Sequence, residues 1–106
     1  SSDPLTAVVV EDVISAVTVA NYFNVTGFGI LGTSLQQEHL YTLSDFDRVV
    51  IALDPDASKK SLQHAKDLAN YVSDVRVLKL TDDLKYKNLE DFNKLKEVLN
   101  DNRTQV

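Results

Sequence analysis

The chain has 106 residues, 43% of them hydrophobic, and a formal net charge of −5, values typical of one soluble globular domain. The acidic balance argues against a bulk electrostatic footprint for nucleic acid but does not exclude a polyanionic substrate, because a bound divalent cation would invert the local field. Because cysteine is absent, the chain forms no disulfide and no thiolate metal site. No apolar run reaches the length of a membrane span and the start lacks a signal-peptide pattern, which predicts a cytoplasmic location and no membrane partner.

The chain is expected to form a single domain, with residues 5–99 as its core. Residues 1–4 and 100–106 are polar and typical of a linker or tail. We therefore expect this domain to be a fragment of a longer chain.

The first half of the chain predicts two strand–helix units. An apolar run at residues 7–10 predicts the first strand, and a helix follows to about residue 22. Residues 28–31 predict a short second strand, and residues 35–43 a short second helix capped by Ser34 or Thr33. The predicted buried face of the first helix consists of Val13, Ile14, Val17 and Ala20.

The second half repeats the alternation. The unbroken apolar run after Arg48 predicts a third strand, buried on both faces. A helix opens at Ala57 and Ser58, a partly alternating strand at residues 74–80 is expected at the sheet edge, and a loop covers residues 81–87. Asn88 is expected to cap the last helix, which runs to residue 99. The predicted buried residues of these two helices are Leu62, Ala65, Leu68, Ala69, Val72, Leu89, Phe92, Leu95, Val98 and Leu99.

Four strand–helix alternations indicate an α/β fold with mainly parallel strands joined by right-handed crossovers. The acids that follow the first and third strands can meet only if those strands are neighbours. This condition favours a four-stranded sheet of order 2-1-3-4 with helices on both faces. We therefore predict a Rossmann-like three-layer sandwich.

Acidic residues follow the two strands that should be neighbours. The third strand runs into Asp54, Pro55 and Asp56, and the first runs into Glu11 and Asp12. Residues two apart on an extended segment point the same way, so Asp54 and Asp56 are expected to share one spot. Such oxygen ligands suit Mg²⁺ or Mn²⁺. The simpler alternative is that the aspartates only cap the next helix.

Only one of the adjacent acids Glu11 and Asp12 can point into the cleft, and the other is expected to be a helix cap or solvated. Glu11 leaves the strand directly and has the longer reach, so it is the candidate metal ligand or proton acceptor. Lys59 and Lys60 oppose the dipole of their helix and are candidates for phosphate contact, although a solvated face explains them as well. His39 and His64 have no metal-ligand spacing and are expected at the surface.

These motifs resemble the Toprim domain, the metal-binding fold shared by bacterial-type primases, type IA and type II topoisomerases and some nucleases. The family's pattern is a strand that ends in glutamate and a later strand that ends in D-x-D. Here residues 8–11 (VVVE) and 51–56 (IALDPD) match it, and the resemblance covers nearly the whole chain. Residues 11–16 (EDVISA) and 53–56 (LDPD) are similar to sequence motifs that are typical of bacteriophage primases and primase–helicases.

The resemblance implies that Glu11 is a catalytic acid/base or metal ligand and that Asp54 and Asp56 hold Mg²⁺. Asp82, Asp83 and Lys85 resemble the family's acidic and lysine-bearing segment. Together with Asp12 and Lys59 they are candidates for additional acidic or phosphate contacts. The family's glycine after the glutamate is Asp12 here, and its small-glycine turn after D-x-D is replaced by Ala57 and Ser58.

The implied activity is nucleotidyl transfer during RNA primer synthesis. The implied partners are a single-stranded DNA template, ribonucleoside triphosphates, and zinc-binding and helicase modules in the same or another chain. Isolated from these modules, the domain is expected to be poorly active.

The sequence leaves three alternatives open. A Toprim nuclease would use the same acids to activate water. A phospho-acceptor receiver domain also carries an acidic pair after strand one and an aspartate after strand three, but it needs a fifth strand with a lysine at its end. A Toprim fold that has lost its activity could persist as a docking module.

Overall fold

A computed structural model describes residues 5–30, 35–54, 57–81 and 89–100 of the chain. Within them, strands and helices alternate as the sequence predicts. The strands are β1 (Thr6–Val10), β2 (Thr26–Gly29), β3 (Arg48–Ile51) and β4 (Asp74–Val77), and the helices are α1 (Val13–Tyr22), α2 (Gln37–Leu43), α3 (Ser58–Leu68) and α4 (Leu89–Leu99). All three strand pairings are parallel and the order is β2-β1-β3-β4. The predicted α/β fold class and strand order are confirmed.

The two central strands divide the core into two apolar layers. Every residue of β1 and β3 is buried, as expected of strands covered on both faces. Ala7 and Val9 belong to a cluster that includes residues of α2 and α3. Val8 and Val10 belong to a second cluster, which includes residues of α1 and α4. Helices therefore cover both faces of the sheet. No helix in the described part of the chain is long and apolar enough to cross a membrane.

The edge strands differ from their predicted bounds. β2 begins at Thr26, earlier than residue 28, and β4 ends at Val77, short of residue 80. Gly27 lies inside β2 because α1 packs directly against it. A Cβ atom at Gly27 would overlap the Ala16 carbonyl oxygen and lie 2.7 Å from the Ala16 carbonyl carbon. This glycine, which by composition suggests a turn, instead allows close helix–strand packing.

The predicted buried face of α1 is wrong. Val13, Ile14, Val17 and Ala20 are all exposed, and the side chains turned inward are Ser15, Thr18 and Val19. Small and polar side chains fit here because the backbone of α1 closely approaches β2, which contains glycine. The Thr18 Oγ1 hydroxyl donates to the Ile14 carbonyl at 2.8 Å, so its burial leaves no hydroxyl proton unsatisfied.

The predicted buried faces of α3 and α4 are also wrong in part. Leu62 on α3 is 59% exposed and Leu89 on α4 is 74% exposed, although both were predicted to be inward. On α3 the buried residues include Ser61, whose hydroxyl donates to the Ala57 carbonyl at 3.1 Å, and His64, which was predicted at the surface. On α4, Leu95 is fully buried as predicted.

A buried arginine organises the amino-terminal end of the sheet. Arg48, the first residue of β3, is 3% exposed. It donates to Thr6 Oγ1 at 3.2 Å, and to the Val98 and Leu99 carbonyls at 3.2 and 3.0 Å. These carbonyls close α4, where a positive charge complements the helix dipole. Arg48 therefore joins the first strand, the third strand and the last helix.

Candidate functional site

The strand register brings Glu11 and Asp54 to the same edge of the sheet. Val9 pairs with Ile51, and the Ala52 N–H donates to the Val9 carbonyl at 2.8 Å. Glu11 comes two residues after Val9, and Asp54 comes three residues after Ile51. Both therefore follow the carboxyl ends of adjacent parallel strands, and both are partly exposed.

This edge is also the place where the chain changes direction across the sheet. From β1 the chain crosses to β2 on one side, and from β2 it returns past β1 to β3 on the other. In open α/β sheets the crevice at such a switch point is where ligands bind. Glu11 and Asp54 stand on its two sides.

The structure separates the roles of the adjacent acids. Asp12 is the N-cap residue of α1, and its Oδ1 accepts the Ser15 N–H at 2.7 Å. No hydrogen bond or ion pair among the described residues involves the Glu11 carboxylate. Aspartate is a favoured N-cap residue because its short side chain reaches the second or third helical N–H. Asp12 is thus engaged with the helix, and the Glu11 carboxylate is available to a ligand.

The loop after β3 is short. The Ala57 N–H donates to the Asp54 carbonyl at 2.9 Å, so only two residues lie between these hydrogen-bonded positions. Asp56 is one of them and lies outside the described residues, as do Asp82, Asp83 and Lys85. Among the residues that the structure describes, no three acidic, histidine or cysteine side chains are grouped closely enough to hold a metal ion.

The donors that are described fit a hard divalent cation. Mg²⁺ is commonly bound through one or two carboxylates, with water and substrate phosphate oxygens completing its shell. Glu11 and Asp54 supply two partly exposed carboxylates at one edge. A zinc site would call for imidazole or thiolate, and His39 is occupied elsewhere, since its Nδ1 accepts the Gln36 N–H at 2.9 Å.

The two predicted phosphate-contact lysines lie in the first turn of the helix that follows Asp54. Lys59 and Lys60 are both exposed, and this turn carries no acidic residue. Phosphate contact by these lysines stays a prediction.

A pocket beside Asp54 was not foreseen from the sequence. It measures about 210 Å³ and lies between the end of β3, the start of α3 and the end of β4. Its lining residues are Leu53, Asp54, Ser61, Leu62, Val77, Leu78, Lys79 and Leu80. The sequence gives one sign of this pocket, which is Leu62 next to Ser61. That pair becomes informative only when it is known which face of α3 is buried.

The sheet has four strands in the part of the chain that the structure describes. The fifth strand that a phospho-acceptor receiver domain requires is not among them. Comparison with protein-family models, with curated proteins and with solved structures gives no match to this chain.

Proposed function

We propose that this chain is a Toprim-like catalytic domain for metal-dependent nucleotidyl transfer, of the kind found in bacteriophage DNA primases. The observation that supports it most directly is the pairing of β1 with β3, because Glu11 and Asp54 follow these neighbouring strands at the same edge of the sheet. The substrates would be ribonucleoside triphosphates and a single-stranded DNA template. Zinc-binding and helicase modules would supply the template reading that an acidic domain lacks.

In this proposal the acids have separate roles. Asp54 and Asp56 would hold Mg²⁺, for which Mn²⁺ would substitute, and Glu11 would complete the shell or act as the base. The bound ion would offset charge on the attacked phosphate and favour ionisation of the attacking hydroxyl. Glu11 suits the role of base because no hydrogen bond within the described residues ties up its carboxylate.

The reaction would form one phosphorus–oxygen bond and break another. The 3′-oxygen of the growing primer attacks the α-phosphorus of a ribonucleoside triphosphate, and its proton passes to the Glu11 carboxylate. The bond from the α-phosphorus to the bridging oxygen breaks, and pyrophosphate leaves with the electron pair. Most of the protein's contribution would be positioning and charge, as in phosphoryl transfer generally. Lys59, Lys60 and Lys85 would contact phosphate oxygens.

Metal-dependent stability tests the site. At a free Mg²⁺ concentration ten times the dissociation constant, binding should stabilise the folded chain by about 1.4 kcal/mol. Removing one ligand with Glu11→Gln or Asp54→Asn should abolish most of this gain. Asp45→Asn is the matched control, because it removes one exposed acid at the opposite end of the sheet. The measurement is the melting temperature with and without Mg²⁺, by scanning calorimetry.

A melting temperature that does not respond to Mg²⁺ or Mn²⁺ would contradict the proposal. If it responds, the same variants should be tested for ribonucleotide incorporation on single-stranded DNA and for cleavage of plasmid DNA, both with Mn²⁺. Incorporation that is lost in Glu11→Gln supports primer synthesis. Cleavage that is lost in Asp54→Asn, without incorporation, would favour a nuclease. Both activities use the same acids, so the attacking group distinguishes them: a 3′-hydroxyl or water.

A further inference from the structure

The pocket beside Asp54 is lined mainly by aliphatic side chains. Leu53 forms its inner wall, where β3 ends, and Leu78 and Leu80 follow β4. All three are at most 8% exposed and belong to the core. The pocket is therefore backed by rigid, packed structure. Apolar concavities with a few polar groups at one side are the usual form of small-ligand sites.

Two large apolar side chains line the pocket and remain in contact with solvent. Leu62 is 59% exposed on α3 and Val77 is 42% exposed on β4. Leu62 is exposed because α3 turns Ser61 and His64 inward. Exposed apolar residues at the rim of a cavity cost hydration free energy in the empty protein, which a ligand with an apolar face would recover.

The size of the pocket limits the ligand. An apolar cavity of about 150 Å³ holds benzene in another protein, so a pocket of about 210 Å³ has room for one or two fused rings. A complete nucleotide, with its sugar and phosphates, does not fit. The pocket therefore has the size of a flat ring system, and any larger polar group attached to that ring would lie outside it.

The polar side of the pocket adjoins the proposed metal site. Asp54 lines the pocket and is also one of the two acids at the switch point. We infer that the pocket receives the base of the ribonucleoside triphosphate while its phosphates reach the Mg²⁺ that the Glu11–Asp54 edge would hold. This inference rests on the proposed function and adds the place where the base binds. Lys79, exposed at the pocket, can interact with the ring face or with a phosphate.

The pocket should bind bases with little discrimination among them. The Ser61 hydroxyl proton is used in the bond to the Ala57 carbonyl, and the described lining offers few other groups that could read a base edge. Aliphatic contact is insensitive to hydrogen-bonding pattern but grows with ring area. Purine nucleotides should therefore bind somewhat more tightly than pyrimidine nucleotides, and the template must provide the sequence choice.

Calorimetric titration in Mg²⁺ tests the inference with ATP and inorganic tripolyphosphate as probes. ATP should bind about tenfold more tightly than tripolyphosphate. This gain lies in the lower part of the range of binding free energy for one buried or stacked base. The double variant Leu62→Gln, Val77→Thr should remove this advantage and leave tripolyphosphate binding unchanged. Its matched control is Leu89→Gln, Val17→Thr, which makes the same changes at exposed positions of α4 and α1.

The outcomes separate the inference from the function on which it rests. Equal affinity for ATP and tripolyphosphate, or an ATP advantage that survives in the double variant, would overturn the base site and leave the metal site standing. Failure of both probes and of Mg²⁺ to bind would remove the proposed function and the base site together. All four substituted side chains are solvent-exposed, so the variants are expected to fold.

Discussion

The two ends of the parallel sheet use charged residues differently. At the amino-terminal end, Arg48 is buried and its hydrogen bonds reach Thr6 on β1 and the last carbonyls of α4. Asp47 accepts the Leu5 N–H at 2.8 Å. At the carboxyl-terminal end, Glu11 is partly exposed and takes part in no hydrogen bond or ion pair among the residues described. The charged residues at the amino-terminal end stabilise the fold, whereas the carboxyl-terminal end leaves the Glu11 carboxylate available to a ligand.

The difference shows how a small domain can carry acids that oppose its own stability. Carboxylates that come close at one edge of a sheet repel each other. The opposite end offsets this because its charged groups are matched by backbone and side-chain partners. Even at the carboxyl-terminal end some acids are structural. Asp91 is fully buried and accepts both the Thr81 N–H, at 2.8 Å, and the Thr81 hydroxyl, at 3.0 Å.

The largest effect is expected at Arg48. Arg48→Met leaves three acceptors without their charged donor and should lower the free energy of unfolding by about 4 kcal/mol. The same change at Arg76, which pairs with Asp74 at 3.0 Å on the edge strand β4, should cost about 1 kcal/mol. Urea denaturation measures both. Equal losses of unfolding free energy in the two variants would mean that the hydrogen bonds of Arg48 do not stabilise the fold more than a surface ion pair does.

Gly27→Ala should have the next largest effect. The new methyl group would overlap the Ala16 backbone, and separating α1 from β2 should cost about 3 kcal/mol. Gly29→Ala is the comparison, since its Cβ would lie 3.1 Å from the Asp12 carbonyl oxygen and need only a small shift. Thermal unfolding of the pair should show a clear difference. Similar melting temperatures would show that the tight approach at Gly27 is not required.

The smallest effect is expected at Asp12, where it distinguishes capping from metal binding. Asp12→Ala removes the bond to Ser15 N and should cost about 1 kcal/mol, whereas Asp12→Asn keeps an N-cap acceptor and should cost little. Neither change should alter the affinity for Mg²⁺, measured by calorimetric titration. A large loss of Mg²⁺ affinity in Asp12→Asn would place Asp12 among the metal ligands and would contradict its assignment as a structural helix cap.

Much of the fold could be predicted because the central strands carry a strong signal. Residues 7–10 and 49–53 are unbroken apolar runs, and such runs identify strands covered on both faces. The strand order followed from one further condition, that the acids after these runs should meet. The edge strands were placed less well, since Gly27 in β2 looks locally like a turn residue.

The helix faces were harder to predict, for a physical reason. In α1 apolar and small residues are mixed around the helix, so spacing alone does not fix which face is buried. Close packing against Gly27 selects Ser15 and Thr18 over the larger Val13 and Ile14. The same uncertainty in α3 concealed the pocket, because Leu62 was assigned to the core. Of the site itself, the chain position of Glu11 and Asp54 was predictable, but the capping role of Asp12 required coordinates.

The bonds of Arg48 also constrain when the domain can fold. Its partners are separated from it by 42 residues on one side and by 50 and 51 on the other, and pairings so distant in sequence form slowly. During translation, the α4 carbonyls that it binds emerge only after residues 98 and 99 have been synthesised. Until then the ribosome-bound chain offers Arg48 only the Thr6 hydroxyl among these three acceptors, so α4 can dock against the sheet only after residue 99 has been synthesised.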